Sequence, residues 1–426
     1  MDPLALKFIT GAVFILVYAL IIKWYDQKAW IIAGGVVLLL FAGAVTIGSA
    51  WIAINWNVIG IYVGMLFLSQ ALIESKVADY LAIWVVNRTK RVSFAMLGVC
   101  AIAGILSAVL ENVACVLIVA PIAFVIAKRL KISPVSMIIG TAVCSNLQGV
   151  ATLIGDPPSM ILAVEANMNF NDFFFFQGKP GLFFAVQLGF IAGLAFLYWV
   201  FRKHDHAVQP IKQIQIKSMF PLTMLLALVV SLAFASSANR GISLGFICLF
   251  FGFAALVWLL MEHKKNEKIV WREVFAMDWA TAVFIVFVFI LVDSLTRTGL
   301  IFDLANLILG FTGSSLLSAF ILIIVFSLIL SAFIDNVPYI VAMLGVTQII
   351  AQRIDASPYV LYFALLIATC VGGNITPIGA SANIVGVGML KHRGFKTTFW
   401  QFVDIGLPFT IISVAVSCAF IWLMFG

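Results

Sequence analysis

Twelve apolar runs dictate what this chain can become. They lie near residues 8–22, 29–46, 58–73, 94–127, 135–166, 182–201, 218–236, 242–261, 279–296, 315–350, 358–390 and 405–425. A bilayer core takes roughly 20 helical residues per crossing, so the runs fill most of the chain with membrane helices. A soluble core cannot hide them. Hydrophobic residues make up 64% and charged ones 10%, against roughly 45–50% and 25% in soluble domains. The expectation is an all-α polytopic membrane protein, and the two-residue alternation of a barrel strand is absent. A net charge of +7 fits Lys and Arg gathered in cytoplasmic loops and gives no ground for a nucleic-acid partner. The N-terminal MDPLALKF lacks the charged region and cleavage site of a secretion signal, so the first run reads as a retained helix.

Four runs are irregular. The runs 94–127 and 315–350 exceed one helix, and each is interrupted by an acid–amide pair, Glu111-Asn112 and Asp335-Asn336. The runs 135–166 and 358–390 break at Gly155-Asp156-Pro157-Pro158 and at Gly373-Asn374-Ile375-Thr376-Pro377. Irregular backbone at membrane depth survives only where protein or a water-filled cavity satisfies it.

These irregularities repeat. At a constant offset of 224, Ser107-Ala108 matches Ser331-Ala332, Asn112-Val113 matches Asn336-Val337, and Ser133-Pro134 matches Ser357-Pro358. Gly149, Thr152, Ile154 and Gly155 match Gly373, Thr376, Ile378 and Gly379, while Glu111 faces Asp335. Charge then orients the two halves. If 94–127 is a hairpin entering and leaving on one side, 20 of the 25 Lys and Arg fall on that side, leaving Lys7, Lys179, Arg240, Arg297 and Arg353 opposite. The expected fold is two inverted repeats with about ten transmembrane helices and two opposed re-entrant hairpins, both termini outside an inner (plasma) membrane. Inverted repeats mark secondary transporters.

A carboxylate at bilayer depth costs about 2.5–3.5 kcal/mol and is a functional candidate by default. Glu111, Asp156 and Asp335 are therefore candidate proton-coupling groups, since desolvation disfavours a charged carboxyl. Each tip is also placed to cap the helix that follows, with Asn112 or Asn336 accepting backbone N–H bonds. Gly149, Gly155, Pro157, Pro158, Gly373, Pro377 and Gly379 unwind the two broken helices through close approach and lost N–H donors. Asn112, Ser145, Asn146, Thr152, Asn336, Asn374, Thr376, Ser381 and Asn383 are the candidate solute ligands. The six cysteines sit in apolar runs without metal-ligand spacing, and His204, His206, His263 and His392 fall in basic loops. Neither a metal nor a cofactor is expected.

The segments Ser-Ala-Phe-Ile-Asp-Asn-Val-Pro (331–338), Ala-Thr-Leu-Ile-Gly-Asp-Pro-Pro (151–158) and Gly-Gly-Asn-Ile-Thr-Pro-Ile-Gly-Ala-Ser-Ala-Asn (372–383) resemble the ion transporter superfamily. They look most like its branch holding the arsenite/antimonite permease ArsB, the pink-eyed dilution P protein and plant silicic-acid effluxers. The resemblance implies an elevator, in which a transport domain of hairpins and broken helices slides against a scaffold. It assigns 1–92 to scaffold, 93–181 to the first hairpin and broken helix, and 182–310 to scaffold with cytoplasmic loops 202–217 and 262–273. Residues 311–404 form the second hairpin and broken helix, and 405–426 a C-terminal transmembrane helix. It also implies a homodimer and allows a soluble ATPase subunit to dock on the loops. Ser159 stands where relatives commonly have Asn, and Glu111 departs from the Ser-Asn-Thr tip of the sodium-coupled dicarboxylate branch.

A pocket of amides, hydroxyls and carboxylates with no Lys or Arg suits a neutral polyhydroxy acid better than a carboxylate. The function expected is proton-coupled export of a small oxyacid, arsenite or antimonite first. A sodium/proton antiporter or another anion or silicic-acid transporter on the same scaffold is the rival. An intramembrane enzyme would need carboxylates converging on one catalytic atom, which inverted symmetry does not serve, and a passive channel would ignore proton gradients.

Overall fold

The computed structural model describes residues 2–130, 132–204, 207, 212–238, 243–263 and 267–426. Lys131, His206, Arg240 and parts of loops 202–217 and 262–273 lie outside them. The helices are α1 (Pro3–Lys23), α2 (Lys28–Phe41), α3 (Ile47–Ala53), α4 (Trp56–Ser75), α5 (Val77–Arg88), α6 (Val92–Ser107), α7 (Asn112–Leu130), α8 (Val135–Gly149), α9 (Pro157–Glu165) and α10 (Leu182–Phe201). They continue with α11 (Phe220–Ala238), α12 (Leu244–Glu262), α13 (Glu267–Ala276), α14 (Trp279–Arg297), α15 (Leu300–Thr312), α16 (Leu316–Ser331), α17 (Asn336–Arg353), α18 (Tyr359–Gly372), α19 (Ser381–His392) and α20 (Phe399–Phe425). One departure from an all-α chain is a small ribbon, β1 (Phe175–Phe176) and β2 (Lys179–Pro180). Gln177 and Gly178 turn it with positive φ angles of 51° and 76°, the backbone of a tight hairpin. The loop 262–273 likewise holds most of a helix, α13, whose Trp271 and Phe275 are exposed.

Among the described residues eight helices are long and apolar enough to cross a membrane, and α15 with α16, bent by 117° where they meet, would make a ninth. Of the expected crossings, α2 and α18 are apolar but short, as is the hairpin arm α6. Fourteen residues at about 1.5 Å rise give about 21 Å, less than the roughly 30 Å of hydrocarbon.

The offset of 224 reappears in the elements. Added to the bounds of α6 it gives those of α16, and it carries the starts of α7, α8 and α9 onto those of α17, α18 and α19. Each long run breaks where its acid–amide pair stands, between Ser107 and Asn112 and between Ser331 and Asn336. The halves interlock, since α9 packs against α17 and α19 packs against α7 and α8. Elsewhere α4 packs on α12, α2 on α14 and α1 on α2. The helix α10, expected with the scaffold, lies against α6, α8 and α20, and a reciprocal amide pair at 2.9 and 3.0 Å joins Gln148 to Gln187. Asp303 pairs with Lys7 at 2.5 Å, tying α15 to α1, while Asp79 pairs locally with Lys76 at 3.4 Å.

The α4–α12 contact depends on glycine. A Cβ on Gly64 would meet the Cys248 carbonyl, and one on Gly252 would fall 2.7 Å from Gly64 Cα. Small residues let membrane helices approach closely. Gly64→Ala is expected to destabilise the folded protein by about 1–3 kcal/mol, read as a lower Tm in detergent. Gly34→Ala, whose Cβ would meet nothing within 4 Å, is the matched control and should leave Tm unchanged.

Candidate transport site

Each hairpin tip is built in the same way. Ser107 donates to Asn112 Oδ1 at 2.6 Å and Ser331 donates to Asn336 Oδ1 at 2.6 Å. The carbonyl freed where the first helix of each hairpin stops is capped from the broken helix: Thr152 donates to Ala108 O and Thr376 to Ala332 O. Ser145, 2.9 Å from Ser107 Oγ, also binds Asn112 O at 3.1 Å. Gly155 and Gly379 make this close fit possible, for a Cβ on either would fall 2.8 Å from Ser107 O or Ala332 O respectively.

Ser145, Thr152, Asn374, Thr376 and Asn383 are therefore engaged in holding backbone. Asn383 donates to Gly373 O at 2.9 Å and Thr376 O at 3.0 Å, and Asn374 donates to Val143 O at 3.1 Å. Asn146 joins the halves by donating to Asn374 Oδ1 at 2.7 Å and Asn383 Oδ1 at 3.0 Å. Ser159, the counterpart of Asn383, reaches Gly149 O only at 3.5 Å.

Between the tips lies a cavity of about 40 Å³. Asn112, Asn146, Asn336 and Ser381 line it, with Glu111, Asp156, Pro157, Pro158 and Asp335. Ser145, Thr152, Asn374, Thr376 and Asn383 are not on its wall, and neither are Gly149, Gly155, Gly373, Pro377 and Gly379, which shape the surrounding backbone. Both tip acids cap helices: Glu111 accepts from Ala114 N at 2.9 Å and Asp335 from Val337 N at 3.1 Å. Asp156 precedes α9 without capping it through its side chain.

The sequence reading of a pocket free of basic groups is corrected here. Lys28, counted there as a loop charge, is 6% exposed and lines the cavity. Its ammonium lies 3.1 Å from Asp335 Oδ2 and donates to Tyr25 Oη at 3.1 Å. Tyr25 donates to the same Asp335 oxygen at 3.0 Å and shares a 2.6 Å hydrogen bond with Ser381. The rings of Tyr25 and Phe284 stand 4.8 and 4.9 Å from the ammonium, a favourable cation–π arrangement. The sequence hides this because Lys28 abuts the second apolar run as an ordinary flanking base does, and its repeat counterpart is Gly252. All six cysteines are buried and unbridged, and no cluster of His, Cys, Asp and Glu among the described residues could hold a metal.

A family model described as citrate transporter, CitMHS, matches residues 16–344 and again 241–426. The chain is 30% identical over 387 residues to a 46 kDa membrane protein of Mycobacterium leprae, covering 87% of each. It is 29% identical over 387 residues to an uncharacterized transporter of Mycobacterium tuberculosis, again covering 87% of each. It is 25% identical to the P protein of Sus scrofa over 464 residues, 86% of this chain and 53% of that one. The YdaH transporter of Alcanivorax borkumensis shares the fold with a TM-score of 0.58 at 15% identity, covering 85% of this chain and 84% of the other. MtrF of Neisseria gonorrhoeae does so at 0.51 and 15%, covering 87% and 80%. With the family model spanning most of its length, the chain belongs to the CitMHS citrate transporter family and is a secondary transporter.

Proposed function

We propose that this transporter moves a small oxyacid in a proton-coupled way, on two inverted repeats that work as an elevator. The observation that carries the reading is the cavity between the hairpin tips, where Glu111, Asp156 and Asp335 meet one base, Lys28. Three carboxylates against one ammonium repel a fully ionised anion. A solute that arrives uncharged, or together with protons taken up by the carboxylates, meets no such barrier. The matched tips and broken helices form the moving block in this reading, with α1, α2, α4, α12 and α14 as its support. Both termini lie outside, and a homodimer through the support helices is the assembly proposed.

Arsenite and antimonite, uncharged as acids, are the inorganic solutes of this description. Citrate is the second reading. It is favoured by Lys28, which gives a carboxylate a partner the sequence alone did not offer, and by the description of the family. Exchange of sodium for protons needs no solute pocket and is the rival mechanism. Full-length protein in proteoliposomes separates them: with an imposed pH gradient, radiolabelled citrate or arsenite should accumulate, and a sodium gradient alone should drive neither. Sodium-dependent proton flux without movement of either solute would overturn the proposal.

Glu111 gives a sharper test. Gln at this position keeps the oxygen that accepts from Ala114 N but cannot ionise. Glu111→Gln is expected to lower pH-driven flux about 5- to 150-fold, the range of typical coupling energies, while solute exchange at equal pH persists. An unchanged pH profile would leave Glu111 as a helix cap alone.

A further inference from the structure

A second cavity of about 430 Å³ opens in front of the Glu111 tip, between α4, the start of α2, the junction of α13 and α14 with Asp278, and the start of α19. Small-molecule sites commonly occupy about 300–1,000 Å³. Lys28 and Ser381 stand on the wall it shares with the inner cavity, and Tyr25, Ser69 and Gln70 line the larger cavity alone of the two. The Ser69 hydroxyl is 3% exposed and has no hydrogen-bond partner among the described residues. A buried hydroxyl left unpaired on a cavity wall points to something that enters the cavity. Meanwhile one oxygen of Asp335 collects the Lys28 ammonium and the Tyr25 hydroxyl, at 3.1 and 3.0 Å. That is how a protein holds a carboxylate ligand, and here the carboxylate is the protein's own.

We propose that Lys28, Tyr25 and Ser381 form an oxyanion subsite for one carboxylate of the transported acid, and that Asp335 fills it when no solute is bound. The proposal rests on the reading of the chain as a proton-coupled oxyacid transporter. A proton from the aqueous phase adds to the Asp335 carboxylate and removes its charge. The solute carboxylate then takes over the ammonium and phenol donors from the larger cavity. One negative charge enters with one proton, so the buried charge is the same before and after. On release the proton leaves Asp335, which returns to Lys28. The exchange takes place among other charged and titratable groups. Asp278 and Glu111 line the larger cavity with Lys28, Tyr18 of α1 and Asp156 line cavities with Asp335, Tyr25 is bonded to Asp335, and Cys370 of α18 lies within its electrostatic reach. An uncharged acid such as arsenous acid makes no use of the subsite, which commits the proposal to carboxylates.

Counterflow of citrate and of arsenous acid into proteoliposomes of the full-length protein tests this. Lys28→Gln is expected to raise the half-saturating citrate concentration at least about tenfold, the effect of losing one charge-assisted hydrogen bond, and Lys28→Arg should restore most of it. Asp335→Asn imitates the protonated acid. It should lower the half-saturating citrate concentration about tenfold in alkaline buffer and weaken its dependence on pH. The double variant Lys28→Gln/Asp335→Asn has no unpaired charge to unfold it and should be as weak for citrate as Lys28→Gln. If Lys28→Gln and Asp335→Asn weaken citrate alike, the pair is a strut and the subsite is overturned. If the unmodified protein carries arsenous acid with protons but not citrate, the subsite falls while the proton-coupled reading stands. If it carries neither in response to a pH gradient, that reading fails and the subsite with it.

Discussion

A helix that stops inside hydrocarbon leaves carbonyls with nothing to bind, and water is not there to take them. Everything at the centre of this molecule answers that constraint. The hairpins end at Ser107 and Ser331 because the next turn is given up to an acid–amide tip. The carbonyls of Ala108 and Ala332 are then covered by Thr152 and Thr376 of the broken helices. Each broken helix can be unwound only because its hairpin is beside it, and each hairpin can end early only because a broken helix caps it. Gly155 and Gly379 set the distance at which the two meet. The second halves, α9 and α19, cross to the opposite hairpin, so four unstable pieces become one satisfied block.

Where the repeat holds, side chains serve this frame. Where it fails, the chemistry collects. Asp156 faces Ala380 across the offset, Asn146 faces Cys370, Val150 faces Asn374, and Lys28 faces Gly252. Asn146 uses its asymmetry to bind Asn374 and Asn383, which fastens the halves together. Asp156 and Lys28 use theirs to put charge of both signs beside the tips. A frame whose halves match at an offset of 224 is nearly the same twice over, while a solute and a proton are not, so the differences between the halves are where binding groups can stand.

Much of this was legible in the sequence, for a physical reason. Breaks in apolar runs are conspicuous because hydrocarbon tolerates so few polar residues, and both hairpins and both broken helices fall where Glu111, Asp335, Gly155 and Gly373 stand. Long-range contact was not legible. Tyr25 and Asp335 are 310 residues apart, and nothing local distinguishes Lys28 from a flanking loop base. The backbone bonds of Thr152, Thr376 and Asn383 were not legible either: hydroxyls and amides in a broken helix suit a solute, but the nearest unmet demand is the backbone itself. Short helices such as α3, α5 and α13 escaped because seven to twelve residues carry too little periodicity to stand out among longer apolar runs.

The placement of Lys28 bears on how proton and solute would be coupled in the proposed elevator. Lys28 and Tyr25 sit at the start of α2, while Asp335 and Ser381 begin α17 and α19, so the ion pair joins a support helix to the block. Removing one partner of a buried pair costs about 3–5 kcal/mol because the other charge is left without compensation. Protonating Asp335 with no solute present would leave Lys28 uncompensated at that cost, so a proton would not be taken up alone. A carboxylate arriving while Asp335 is ionised would set two carboxylates on one ammonium, so the solute would not be taken up alone either. The pair that binds the acid would then make each favour the other, which is what keeps proton flow coupled to solute.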